Sequence, residues 1–227
     1  MSDAPAPGPF FDSTAKRVWY DFVRGTLAWF SRLFWRMSVE GSEHIPATGA
    51  FILAPVHRNN IDTPLVCGVG ARRLRYMGKD AMWKYRWSAW FFDSLGGIPV
   101  HRGEPDRPAM RRSEDVLAAG EPLVMFPEGT RQSGPIIEHV FDGVAYLALR
   151  TGTPIVPVGI GGSEHALPKG SKLIRPVKVA LVIGAPIPVS APEPGARVPR
   201  RAVKELTQHL TDELQRLFDE AQAKVGR

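Results

Sequence analysis

The sequence predicts an α/β fold: a single domain with a mostly parallel central sheet flanked by helices, preceded by an N-terminal amphipathic helical segment. Two observations carry this. From Ala50 onward, short apolar runs alternate with polar, helix-compatible stretches, the pattern of strands buried on both faces and joined by crossover helices. The chain is 44% hydrophobic over 227 residues, enough for one substantial core and more consistent with one domain than with two.

In order along the chain, residues 1–38 read as a tail followed by an interfacial helix, and residues 39–227 as the main domain. Residues 14–38 carry Val18, Trp19, Phe22, Val23, Leu27, Trp29, Phe30, Leu33, Phe34, Trp35 and Met37 at helical spacing. The bases Lys16, Arg17, Arg24, Arg32 and Arg36 face a single acid, Asp21, for a net charge of +4. Aromatic residues mixed with bases suit the headgroup layer, and the apolar residues wrap wider than one core-facing stripe requires. This segment is therefore expected to associate with a membrane. The stretch from Arg72 to Phe92 interleaves bases and aromatic residues in the same way and reads equally as a second interfacial element or as a half-buried helix with a basic face.

The expected strands are Phe51–Val56, Ile98–His101, Leu123–Phe126, Ile155–Ile160 and Val177–Ile183. Helices are expected near 62–70, 80–94, 105–119 and 138–151, an irregular proline-rich loop over 186–199, and a closing amphipathic helix over 202–225. In such folds ligands gather at the carboxyl ends of the strands.

The net charge of +6 points to a polyanionic neighbour. No zinc-knuckle, helix-turn-helix or RNP signature accompanies it, so nucleic acid is set aside. The single cysteine, Cys67, cannot form an internal disulfide and reads as a packing residue of a reducing compartment. The N-terminal residues show no secretory pattern, and no run reaches the roughly 18 apolar residues of a spanning helix. The expectation is a peripheral protein on the cytoplasmic face of the cell membrane, not a secreted one.

Chemistry concentrates at strand ends. His57-Arg58-Asn59-Asn60-Ile61-Asp62 directly follows the run Phe51–Val56, and Thr63-Pro64 then begins a helix. A carboxylate at Asp62 can fold back onto the imidazole Nδ1 and leave Nε2 to take a proton from a hydroxyl, the logic of a serine-hydrolase triad with the substrate hydroxyl in place of serine. Taken alone, that spacing fits a structural His and a helix-capping Asp better. Phe126-Pro127-Glu128-Gly129-Thr130-Arg131 follows a second strand; its glycine permits close backbone approach and its arginine can grip phosphate bidentately. Gly96 to Arg102 places a further arginine in a similar setting, and Ile155 to Ile160 is an apolar run with an inserted proline. His101 has no H-x-H or H-x-x-x-H spacing with His57 and Asp62, so no metal site is expected.

These four blocks, in this order over about residues 40–185, resemble the glycerolipid acyltransferases of the lysophosphatidic acid acyltransferase, PlsC-like type. His57 to Asp62 is similar to the family's H-x-x-x-x-D block, Ile98 to Arg102 to its second block, Phe126 to Arg131 is its F-P-E-G-T-R block unchanged, and Val156 to Ile160 resembles its proline block. The resemblance implies that His57 is the general base and Asp62 its orienting partner. It implies that Arg102, Glu128, Gly129, Thr130 and Arg131 bind the phosphate of the acceptor. Pro157 and Gly159 are candidates for oxyanion or acyl contact. It further implies an acyl-CoA or acyl-carrier-protein thioester as co-substrate, no metal or organic cofactor, and 1-acylglycerol 3-phosphate as acceptor, giving phosphatidic acid in phospholipid biosynthesis. Glycerol 3-phosphate, a larger lysophospholipid, or a non-catalytic phospholipid-binding relative are the alternatives. Two positions depart from the usual pattern. Asp142, in Phe141-Asp142-Gly143-Val144, stands where many members carry a base, and Arg58 adds a charge beside the base that would either lower the pKa of His57 or contact substrate phosphate.

Overall fold

Seven strands form one sheet in the order β1-β7-β6-β2-β5-β3-β4. They are β1 (Ser38–Glu40), β2 (Ile52–Pro55), β3 (Arg75–Lys79), β4 (Ile98–Val100), β5 (Leu123–Val124), β6 (Ile155–Gly161) and β7 (Ala180–Ile183). The computed structural model describes residues 10, 13–101, 106–168, 171, 173–193 and 196–226. All neighbouring strands run parallel except β6 and β7. Every residue of β2 and β6 is buried, which is why both strands read as unbroken apolar runs instead of alternating ones.

The helices are α1 (Thr14–Phe34), α2 (Asp62–Val66), α3 (Arg86–Ser94), α4 (Arg107–Ala118), α5 (Gly143–Thr151), α6 (Ser163–Ala166) and α7 (Arg200–Lys224). Helix α7 buries Val203, Leu210, Leu214, Leu217, Phe218 and Ala221, one stripe at helical spacing. Its backbone lies directly on β6, because a Cβ at Gly159 would stand 2.2 Å from the Leu217 carbonyl and one at Gly161 2.3 Å from that of Ala221. Helices α4 and α5 continue this layer over β5 and β2. Helix α4 starts at an N-cap, Asp106, whose side chain accepts from the Ala109 N–H at 2.9 Å.

Helix α1 packs on α2, and the guanidinium groups of Arg24 and Arg32 donate to the carbonyls of Gly70 and Gly68 in the segment that follows it. Its buried side carries Tyr20, Ala28 and Ser31, and Tyr20 accepts the Leu74 N–H on its hydroxyl at 2.9 Å. Trp35 enters the core and donates from its indole to the Arg175 carbonyl. The other side of α1 leaves Val18, Phe22, Trp29 and Leu33 between 63 and 67% exposed, spaced so that all four share one stripe. Trp87 and Trp90 of α3 are exposed as well, and Trp90 touches Trp19, which donates from its indole to Ser94. No helix among the described residues is long and apolar enough to cross a membrane.

Several elements differ from the sequence expectation: the helix expected near 138–151 starts at Gly143, and the one expected near 80–94 divides into a 3-10 turn over Asp80–Trp83 and helix α3. The stretch read as one basic-aromatic element from Arg72 contains strand β3, whose Arg-Tyr-Met-Gly-Lys composition carries too little apolar character to read as a buried strand. It is a strand because β5 and β4 flank it. Strand β1 is only three residues, held by β7. Helix α2 ends at Val66 instead of continuing to 70, where Gly68 sits so close to Met37 that a Cβ would stand 2.8 Å from its terminal carbon. Cys67 pairs with Tyr76, whose hydroxyl donates to Sγ at 3.2 Å, and burial pushes its thiol above the ordinary range.

Candidate active site

Strand β2 ends at Pro55; the next residue, Val56, still donates its N–H to the Val158 carbonyl, and the chain turns out at His57. The six residues His57–Asp62 close on themselves because Asp62, fully buried at the start of α2, folds its carboxylate back. Its Oδ2 lies 3.1 Å from His57 Nδ1 and accepts the N–H groups of Arg58 and Asn59, each at 2.6 Å. One oxygen thus orients the imidazole and fixes the loop that carries it. Among the described residues His57 Nε2 has no hydrogen-bond partner, and the side chain retains 8% exposure, enough for a substrate hydroxyl to meet that nitrogen.

The F-P-E-G-T-R block arrives beside the H-x-x-x-x-D block through strand register. Ile52 stands opposite Leu123 and Leu53 opposite Val124, and the same offset carried forward sets Glu128 opposite His57. Met125 continues the ladder by donating to the Leu53 carbonyl. The Phe126 ring then packs on the imidazole with centroids 4.2 Å apart. Glu128, fully buried, accepts the His57 N–H on Oε2 at 2.6 Å and holds Oε1 3.2 Å from Arg58 Nη1. Burial pushes its carboxyl above the usual range, opposed by the His57 N–H and the Arg58 charge.

Gly129 takes φ +63, and a Cβ there would stand 2.9 Å from the Phe141 ring, so the turn admits glycine alone. Thr130 and Arg131 are exposed beyond it, and the Arg131 guanidinium makes no hydrogen bond or ion pair among the described residues. Gln132 returns to the site by donating its N–H to the His57 carbonyl at 2.9 Å.

The structure therefore brings His57, Asp62 and Glu128 together, with Gly129, Thr130 and Arg131 on the adjoining turn. Arg102 lies outside the described residues. Pro157 and Gly159 lie inside buried β6, Pro157 opposite Ala54 and Gly159 beneath α7. Asp142 accepts from the Thr207 hydroxyl of α7 at 2.9 Å, which ties this departure from the usual pattern to helix packing. Arg58 turns inward, its side chain 1% exposed. Sequence reasoning missed Phe126 as the imidazole's neighbour, Gln132 as a backbone clamp, and Asn59, whose amide donates to the Leu167 carbonyl at 2.8 Å. The signal for Phe126 and Gln132 was their place within and beside the F-P-E-G-T-R block; Asn59 had none.

Residues 36–161, more than half of the chain, match the Acyltransferase family. The chain belongs to that family. This PlsC-like acyltransferase is 27% identical over 170 residues to the 1-acyl-sn-glycerol-3-phosphate acyltransferase of Bacillus subtilis (strain 168), covering 74% of this chain and 82% of that protein. It is 23% identical over 158 residues to the chloroplastic 1-acyl-sn-glycerol-3-phosphate acyltransferase LPAT1 of Arabidopsis thaliana, where it covers 68% of this chain but only 44% of the plant protein. Among solved structures it is similar to the 1-acyl-sn-glycerophosphate acyltransferase PlsC of Thermotoga maritima, with a TM-score of 0.73, 27% identity, and coverage of 93% of this chain and 84% of that one. The acyltransferase carries the family's fold, including its mostly parallel sheet.

Proposed function

We propose that this acyltransferase moves a fatty acyl group from an acyl-CoA or acyl-carrier-protein thioester to the free hydroxyl of 1-acylglycerol 3-phosphate, giving phosphatidic acid for phospholipid biosynthesis. The observation that carries the reading is His57, with Nδ1 engaged by the buried carboxylate of Asp62 and Nε2 without a hydrogen bond among the described residues, and Arg131, likewise unpaired among those residues, on the turn that adjoins the site. The names of the relatives supply the acceptor class.

In this reading Nε2 takes the hydroxyl proton as the acceptor oxygen attacks the thioester carbonyl. The tetrahedral intermediate collapses with cleavage of the C–S bond, and the imidazolium returns its proton to the departing thiolate. Asp62 stabilises the imidazolium between these steps. The thioester is already activated, so this chemistry calls for no metal or organic cofactor. Arg131, with Arg102, Gly129 and Thr130, receives the acceptor phosphate.

The test is initial-rate acyl transfer in mixed micelles with acyl-CoA and acyl-carrier-protein donors, offered 1-acylglycerol 3-phosphate, glycerol 3-phosphate or a larger lysophospholipid in parallel. Faster turnover of another acceptor would replace the first one in this reading. Arg131→Ala raises the KM for the acceptor by about 10-fold or more, since a hydrogen bond to a charged group contributes about 1.5–3 kcal/mol. An unchanged KM would take Arg131 out of the phosphate site.

The exposed stripe of α1 supports peripheral attachment to the anionic cytoplasmic face of the membrane, with Trp87 and Trp90 of α3 extending the surface at the Trp19–Trp90 contact. Replacing Phe22, Trp29 and Leu33 together by Ser keeps every charge of α1. Even half of the about 1.5–3 kcal/mol available for each large apolar side chain lowers partitioning onto anionic vesicles roughly 50-fold or more. Full retention in a flotation assay would shift the anchor away from α1.

A further inference from the structure

Arg58 and Glu128 form an ion pair inside the protein, immediately behind the imidazole. The Glu128 carboxylate is fully buried: Oε2 accepts the His57 N–H at 2.6 Å, and Oε1 stands 3.2 Å from Arg58 Nη1, an ion pair without a hydrogen bond between the two atoms. The Arg58 guanidinium is fixed from three directions. It meets Glu128, donates from Nη2 to the Ile136 carbonyl at 3.3 Å, and stacks its centre 4.8 Å from the Phe218 ring of α7. The segment that follows Glu128 also holds the other side of the His57 peptide, through the Gln132 N–H. His57 is thus clamped on both backbone groups and on its ring face by Phe126.

We infer that the Arg58–Glu128 pair is a positioning device for His57, so that Glu128 serves the reaction through the base and not through the acceptor's phosphate. This rests on the reading of His57 as the base. A carboxylate turned into the protein can offer nothing to a phosphate but repulsion, whereas an ionised acceptor makes the strongest available bond to the His57 N–H. Holding that charge in the interior requires a counter-charge, and Arg58 supplies it. With both carboxylates ionised, Asp62, Glu128 and Arg58 sum to −1, which becomes zero when His57 takes the proton. The cluster is balanced at the moment the base is charged, and without Arg58 it would be left at −2 beside a neutral imidazole. The inward turn of Arg58 places its guanidinium against Glu128 and Phe218, turned away from a substrate phosphate.

The experiment compares kcat and acceptor KM for the full chain and for Arg58→Met, Glu128→Gln and the double variant, with His57→Ala as control. Each single variant strands one buried charge next to the base and lowers kcat roughly 10- to 100-fold, the scale of a small misplacement of a reacting group, with acceptor KM held within about twofold. The double variant keeps a side-chain carbonyl for the His57 N–H and strands no charge, so it recovers most of the loss and turns over faster than either single variant. A rise in acceptor KM at unchanged kcat, or a double variant as slow as the product of the two singles, would overturn the inference. Should Arg58→Met fail to fold, Glu128→Gln against the double variant decides the same point. Protein silent toward every acceptor would count against the proposed reaction, and the pair is then read from the His57 imidazole NMR signals. Those signals move in either single variant and return in the double; signals unmoved throughout overturn the positioning role.

Discussion

Replacing His57 by Ala lowers kcat about 10²- to 10⁴-fold, the range contributed by a positioned general base, while the fold survives. The separation of the two effects follows from the geometry. The imidazole is one of three donors to Asp62 Oδ2, and the Arg58 and Asn59 N–H groups continue to hold that oxygen after the ring is gone. What is lost from the structure is the ring's contact with Phe126 and a small volume at the edge of the core, worth about 1–2 kcal/mol. What is lost from the reaction is the imidazole nitrogen that accepts the hydroxyl proton at this strand end. Initial rates with a saturating acyl donor, beside thermal unfolding followed by circular dichroism, check both halves. Turnover retained in a folded His57→Ala protein would take the proton-transfer step away from this residue.

How much of this could be read from the sequence depends on the range of the interactions involved. Strands β2, β5 and β6 announce themselves because burial on both faces demands unbroken apolar residues, and the motifs that follow β2 and β5 are local enough to be seen as blocks. The His57–Asp62 pairing is likewise local, a loop of six residues closing on its own backbone. The direction of Glu128 is not. It is set by the register of β2 against β5, across 71 residues of chain, and nothing in Phe-Pro-Glu-Gly-Thr-Arg says that its acid points inward while its arginine points out. The same holds for Arg58, whose orientation is fixed by Ile136 and by Phe218 on the closing helix. Strand β3 was hidden for a related reason: a basic, half-buried segment becomes a strand only when two neighbours present their edges to it. For α1 the sequence carried more than a core-facing helix needs, and the structure accounts for the surplus as a second stripe directed to the outside.

Asp62→Asn separates the charge of this residue from its shape. The carboxamide oxygen can still accept from the Arg58 and Asn59 N–H groups, so the loop stays closed, and the cost to folding is about 1–3 kcal/mol, as hydrogen bonds to a charged acceptor become neutral ones in a fully buried setting. Catalysis responds far more. Without the negative charge the imidazolium formed during transfer has no counter-ion within hydrogen-bond distance, and the amide N–H₂ can turn toward Nδ1 and select the tautomer whose Nε2 carries a proton and cannot act as a base. A serine-protease triad loses about 10⁴-fold in kcat for the equivalent change, and a loss of about 10³- to 10⁴-fold is expected here. Asp62→Ala adds the structural penalty, leaving the Arg58 and Asn59 N–H groups and His57 Nδ1 without their acceptor, and lowers stability by about 3–5 kcal/mol. Denaturant midpoints and kcat measured on both variants distinguish the two contributions. If Asp62→Asn turns over at close to the wild-type rate, the carboxylate only ties the loop together and its charge has no part in the reaction. If instead the two variants are equally unstable, the charge and not the hydrogen-bond geometry is what holds this strand end in place.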